Sequence, residues 1–434
     1  MNSSILSILL ISVFIFVLNF AFHFTTVKYS KLSLQVSLIL TTTLAIYLVL
    51  NGRAAVIGAC ANIVYLFLNY RKLSITKNFL LKAVVVSTAV SVVIAFSLKK
   101  DSSSGRILIY EVVFTQLKLV DYFSGLGIGK FKARYNQLQA DYFEQHSQAK
   151  EVSLAGNGYY LFNDWMQFAL ELGAMWLLLL ACFVLFIRKL FIWQPHKTAL
   201  LFAANGGLIS ISTAALFSYP LQVPATLAFF IICVSIHIHQ SYAIRVASQK
   251  KHLRFFLCAI ALGLTVWTTY YCLKVYKYKL KSKIAFELYQ DGFKSEAETV
   301  FKQLRNYSFA DYTTHYNYAY LLYIKYDLNN SLREIDKALV LAYSVDGVKL
   351  KADILWGLKD IKAAEYYYKQ AVCITPGKMF PKYNLLQFYI KTQQLNKATY
   401  WAKDILNMPI KKPSETTNMI LLSTKRIFEE IEKN

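Results

Sequence analysis

Charge is scarce in this 434-residue chain, where Asp, Glu, Lys and Arg make up 17% of residues against roughly 25% in ordinary soluble domains. Acidic residues are the scarcer sign, 25 against 48 basic, for a formal net charge of +23. Low charge combined with 56% hydrophobic residues excludes a disordered chain, which needs the opposite balance. Cysteine is sparse too. Cys60, Cys182, Cys233, Cys258, Cys272 and Cys373 are widely spaced and form no zinc or redox motif, which excludes a disulfide-stapled secreted scaffold and leaves them as small apolar fillers.

Long apolar runs are what the chain has in quantity. A bilayer-spanning helix needs about 20 mostly apolar residues, and runs near 5–22, 32–50, 79–98, 166–187, 198–217, 221–238 and 254–273 meet that length, with a shorter run at 54–69 as an eighth. The first run lacks a basic leader and a small-residue cleavage pattern, so it reads as a retained segment. Of the eight acids before residue 281, seven lie in 99–165 and the last is Glu171. Short connections around Lys28, Arg71, Arg188 and Arg245 are basic and free of acids. By the positive-inside rule they face the cytoplasm and the 99–165 loop faces outward. The expectation from charge is therefore a multi-pass membrane protein in contact with membrane lipids, with its C-terminal part on the outer side. Because so much of the basic excess is an orientation signal, no nucleic-acid partner is expected.

From about residue 281 the runs shorten and helical periodicity takes over. Ala297, Ser331, Ala364 and Ala398 recur at spacings of 34, 33 and 34, followed seven residues later by Leu304, Ala338, Ala371 and Ile405, with Pro376 and Pro409 closing two units. This resembles tetratricopeptide repeats, whose helix-turn-helix unit has small residues where its helices meet. The fold class expected is all-α: about eight membrane spans with a long outer loop (99–165) in a domain over 1–280, then an α-solenoid over 281–434. Stacked repeats imply a protein partner or a positioning role. The tyrosine stripes, Tyr316, Tyr318 and Tyr320 and then Tyr366 to Tyr368, read as repeat packing or as direct contact with a ligand or glycan.

The 99–165 loop carries the candidate chemistry. Gly125, Gly127 and Gly129 allow a tight structural turn; no strand precedes them, so they do not form a nucleotide-binding fingerprint. Arg106, Lys130, Lys132 and Arg134 gather in the same segment, and Arg53 opens an apolar run. Arg53 reads as an interfacial anchor or as a cation for a diphosphate headgroup, whose oxygens a guanidinium meets in pairs.

Taken in order, Asn51-Gly52-Arg53-Ala54-Ala55, the Gly105-Arg106 stretch, Gly125-x-Gly127-x-Gly129-x-Phe131, Asn163-x-x-x-Gln167-x-x-x-Glu171-x-Gly173 and Phe217-Ser218-Tyr219-Pro220 resemble the O-antigen ligase and polymerase family over about residues 35–240. The resemblance implies a metal-independent, cofactor-free glycosyltransferase of the bacterial inner membrane, with its outer, active face periplasmic. It would move a glycan from an undecaprenyl-diphosphate carrier to a hydroxyl of lipid A core, a protein or another glycan. Arg53 and Arg106 would hold the diphosphate and stabilise its departure, with Lys130, Arg134, Asn163 and Gln167 as further substrate-binding residues. Where the family commonly has His before the Asn, this chain has Phe162. Either Asp164 takes the proton, or a base is hardly needed, or the protein is a non-catalytic membrane scaffold whose repeats recruit partners of a surface-polysaccharide pathway. Asp164 could equally cap the helix that follows it. Glu171, the second candidate catalytic acid, is expected to pack against an arginine of the site. Family members usually carry several more helices before the Arg53 equivalent, which fits a shortened form or a start placed downstream of the true one.

Overall fold

The computed structural model describes residues 3–28, 52–69, 100–146, 150–191, 198–246, 251–305, 307, 310–410 and 413–433. Among the described residues the chain is helical and contains no strand. Its first helices are α1 (Ser3–Lys28), α2 (Arg53–Asn69), α3 (Lys100–Gln116), α4 (Leu119–Ser124), α5 (Phe131–Gln145), α6 (Asp164–Leu172), α7 (Met175–Phe191), α8 (Ala199–Ala214) and α9 (Pro224–Val246). They are followed by α10 (Lys251–Gln290), α11 (Lys294–Leu304), α12 (Tyr312–Ile324), α13 (Leu328–Leu341), α14 (Val345–Gly357), α15 (Ile361–Ile374), α16 (Met379–Lys391), α17 (Leu395–Leu406) and α18 (Glu415–Lys433).

The expectation of a polytopic membrane protein with about eight spans, placed multi-pass in the inner membrane, is corrected here. Among the described residues no helix is long and apolar enough to cross a membrane. The run at 166–187 is not one helix. Gly173, at φ +58°, ends α6 after 9 residues, and α7 starts afresh at Met175. The runs at 198–217 and 54–69 become helices of 16 and 17 residues, or about 24 to 26 Å at 1.5 Å per residue, short of the roughly 30 Å of a bilayer core. The run at 254–273 is one stretch of the 40-residue α10, which continues through Lys274, Lys277, Lys279, Lys281 and Lys283. The expected spans at 32–50 and 79–98 lie outside the described residues.

Two compact units divide the chain, and each is built from separated segments. The first comprises Met1–Arg106, Lys118–Ile128 and Tyr160–Phe255. Its centre is α8, which packs on α1, α2 and α9. Ile5, Ile8, Ile11 and Ile15, spaced three or four apart, put one face of α1 into a core with Ala54, Ala55, Ala59, Ala214 and Tyr219. Each isoleucine contributes about 2 kcal/mol by burial. Polar side chains buried between these helices pair with each other: Ser12 with Ser210 (3.1 Å), Asn19 Nδ2 donating to Asn62 (3.0 Å), Asn205 donating to the Tyr65 hydroxyl (3.2 Å), and His237 Nδ1 with Asn205 Oδ1 (2.7 Å). Pairing removes the cost of burying them. The apolar surplus of the composition is not all taken into cores, since Leu177 and Leu178 of α7 remain exposed.

The second unit comprises Ile107–Leu117, Gly129–Tyr159 and Phe256–Asn434. Here α12/α13, α14/α15 and α16/α17 form successive hairpins. Gly292, Tyr326, Lys359 and Gln393, at spacings of 34, 33 and 34, all have positive φ. Each is followed by a backbone N–H that reaches back five residues: Phe293 to Leu288, Asp327 to Leu322, Asp360 to Leu355 and Gln394 to Tyr389, at 2.9 to 3.0 Å. That is the Schellman termination of the first helix in each hairpin, repeated four times. Ala297, Ser331, Ala364 and Ala398 are all fully buried, where any larger side chain would separate the paired helices.

The middle of the 99–165 segment is a folded part of this second unit. Helix α5 packs on α13 and α15. Asn136 Nδ2 donates to Tyr343 O (2.6 Å), and Gln139 Nε2 donates to Ile374 O (2.5 Å). Two amides three residues apart thus satisfy carbonyls at the C-terminal ends of successive repeats, groups that a helix leaves without internal partners. Ala140 joins the core of Ile335, Ala338, Ala371 and Ile374. The 156–158 segment closes over α5: Gly158 N–H donates to Asn136 Oδ1 (2.8 Å), and a Cβ at Gly158 would collide with the Tyr135 ring.

Candidate functional site

The Asn163–Glu171 pattern folds as α6 in the first unit. Asn163 is its N-cap, its side chain accepting from Met166 N–H (3.0 Å), so Asp164 is not the cap. Gln167 and Glu171 share one buried face four residues apart. Gln167 Nε2 donates to Glu171 Oε1 (3.0 Å) while its Oε1 accepts from Leu161 N–H (3.1 Å). Glu171 therefore takes a hydrogen bond from its own helix.

The glycine turn seats on the end of this helix. Leu126 N–H donates to Leu170 O (2.9 Å), Gly127 N–H to Glu171 O (3.0 Å), and Ala174 N–H to Phe123 O (2.9 Å). Gly125, Gly127 and Gly129 all have positive φ. A Cβ on Gly125 would strike Glu171 O and one on Gly173 would strike Phe123 O, so these two glycines are required by close approach as well as by φ.

Segment 160–165 lies against 212–221. Asp164 N–H donates to Ala215 O (2.9 Å), Trp165 Nε1 donates to Ser212 O (3.0 Å), and Tyr160 stacks on Tyr219 at 4.2 Å and 6°. The Arg106 guanidinium sits 5.0 Å from the Phe162 ring centroid, and its Nη1 donates to Phe217 O (2.8 Å). Phe162 has φ +59°, an uncommon conformation for a bulky residue. Its ring edge meets Tyr219 at 5.3 Å and 75°. The phenyl group that replaces the expected histidine therefore gives the cation a π face.

Asp164 is fully buried, and its Oδ2 accepts from Leu221 N–H (2.7 Å), while among the described residues Oδ1 has no hydrogen-bond partner. Burial pushes its pKa up to about 7, the Leu221 N–H and the Gln222 side chain oppose the rise, and the Glu171 charge adds to it. No family model matches the chain, and no curated protein is significantly similar to it.

Arg106, Asn163, Asp164, Gln167 and Glu171 thus fall in one unit, on segments that hydrogen-bond to the 212–221 stretch or to the glycine turn. Arg53 is the first residue of α2, and its side chain lies outside the described residues. Lys130 and Arg134 belong to the second unit, where Lys130 precedes α5 and Arg134 Nη1 donates to Gln137 Oε1 (2.8 Å). Sequence reasoning missed Tyr160 and the Leu221 backbone N–H as parts of the site, and it named Phe217 only within the Phe217-Ser218-Tyr219-Pro220 pattern, without its carbonyl's role. The Tyr159-Tyr160-Leu161-Phe162 run beside Asn163 was the available signal.

Proposed function

We propose that the protein transfers a glycan from an undecaprenyl-diphosphate carrier to an acceptor hydroxyl on lipid A core, a protein or another glycan. The observation that carries this reading is that Arg106 and Asp164 are fixed to the two ends of one short turn, through Phe217 O and Leu221 N–H. In the reaction the acceptor oxygen bonds to the anomeric carbon, the bond from that carbon to the diphosphate oxygen breaks, and the hydroxyl proton passes to Asp164 Oδ1. Arg106 stabilises the negative charge that leaves with the diphosphate. A carboxyl that titrates near 7 is well matched to accept that proton at neutral pH.

The test is transfer by the full chain with a purified lipid-diphosphate glycan donor. Asp164→Asn and Arg106→Ala should each lower the rate by about 10²-fold or more; wild-type rates in both variants would end the proposal. The Phe162 ring, which cannot accept a proton, favours a second reading, a non-catalytic scaffold. That reading predicts no transfer by the wild-type chain and retention of a pathway partner in both variants.

A further inference from the structure

Tyrosine recurs along one stripe of α12 as Tyr312, Tyr316, Tyr320 and Tyr323, at helical spacing. Tyr318 is buried against Phe301, while Tyr312, Tyr316 and Tyr323 are partly buried against the core of Ala319, Ile335 and Ala338. These three rings are half-buried and keep part of their surface open. Tyr312 and Tyr316 lie nearly parallel at 5.5 Å and 20°, Tyr316 and Tyr320 at 6.5 Å and 6°, and Tyr320 is 39% exposed.

A residue from outside the repeats completes the surface. Asn157 Oδ1 accepts from Val345 N–H (3.3 Å) and Gly158 is held on Asn136, which fixes the adjoining Tyr159 on this unit, 38% exposed. The exposed Asp346 carboxylate stands among these rings: after burial, its charge helps push up the pKa of Tyr159, Tyr312 and Tyr316. Tyr312 spends its hydroxyl on Ser344 (2.6 Å). Among the described residues the hydroxyls of Tyr159, Tyr316 and Tyr323 and the Asp346 carboxylate have no hydrogen-bond partner or ion pair. Nearby charges are neutralised in pairs, Lys349 with Asp353 (2.6 Å) and Lys351 with Asp336 (2.7 Å).

We infer that this face of the second unit binds a neutral glycan chain. Parallel aromatic faces suit the apolar faces of sugar rings. Unspent phenol hydroxyls and a lone carboxylate suit sugar hydroxyls, which both donate and accept. A cationic peptide would call for several unpaired carboxylates, and here there is one. The site does not rest on the transfer chemistry at Arg106 and Asp164. It is measured at equilibrium without turnover, so the two proposals fail independently.

The full chain is screened against a printed array of neutral oligosaccharides alongside lysine-rich and proline-rich peptides, and the best binder is titrated by calorimetry. Neutral oligosaccharides should bind, and Tyr316→Ala should weaken binding about tenfold, the loss of one aromatic contact. Because Tyr316 also packs, Asp346→Asn at an exposed position serves as a second variant and should weaken binding several-fold with the melting temperature unchanged. Binding of peptides without glycans, no glycan binding at all, or glycan binding indifferent to both substitutions would each overturn the inference.

Discussion

Replacing Gln139 with methionine keeps the side-chain length and removes both polar ends, which makes it a direct probe of how α5 is held to the repeats. In the native structure Gln139 is 1% exposed; its Nε2 donates to Ile374 O (2.5 Å) and Gly156 O (2.9 Å), and its Oε1 accepts from the Tyr135 hydroxyl (2.7 Å). Gln139→Met leaves two carbonyls and one hydroxyl without this partner. A buried group stripped of its partner costs about 1 to 3 kcal/mol, and relaxation and water entry recover part of that, so the net loss is about 3 kcal/mol. Urea unfolding followed by circular dichroism reads this loss, and amide exchange locates it, with Asn136 to Tyr142 losing protection first. The exposed neighbour Gln145 is the control, and Gln145→Met should change stability by less than about 0.5 kcal/mol. If Gln139→Met behaves like Gln145→Met, α5 is not anchored to the repeats as described.

Asp164 carries a stability signature in pH. Its pKa rises from 3.8 to about 7 on folding, so between those values the native state binds more protons than the unfolded chain and stability falls as pH rises. The loss amounts to up to about 4 kcal/mol by pH 8; Asp164→Asn should flatten this decline in melts at pH 4 and pH 8. Lys359 pays for a left-handed backbone with an L side chain, so Lys359→Gly should raise stability by about 1 kcal/mol in the same urea assay. Gly173→Ala adds a Cβ at φ +58° directed at Phe123 O. It should destabilise the first unit by about 2 kcal/mol or more and lower its calorimetric transition.

The parts of this structure that were legible in the sequence are those set by local spacing. Four-residue spacing placed Gln167 and Glu171 on one face of a helix that Asn163 caps, and the 34-residue recurrence reappears in Gly292, Tyr326, Lys359 and Gln393. The glycine turn was visible because only glycine tolerates its backbone. What was not legible depends on long-range pairing. Nothing near Asn136 or Gln139 names Tyr343 or Ile374 as partners, so a segment of the repeat unit read as an outer loop. Apolar runs gave the number of hydrophobic stretches but not the break at Gly173, and an eight-span expectation followed. Phe162 was noticed as a departure, yet its seat beneath Arg106 needed the fold.

The central claim is that Asp164 takes the acceptor's proton while Arg106 holds the diphosphate. Its most direct test is the pH dependence of single-turnover transfer from an undecaprenyl-diphosphate-linked glycan, for the full chain and for Asp164→Asn. The wild-type rate should rise with pH through an inflection near about 7, with the residual rate of Asp164→Asn flat over the same range. The same inflection at an undiminished rate in Asp164→Asn would contradict the account.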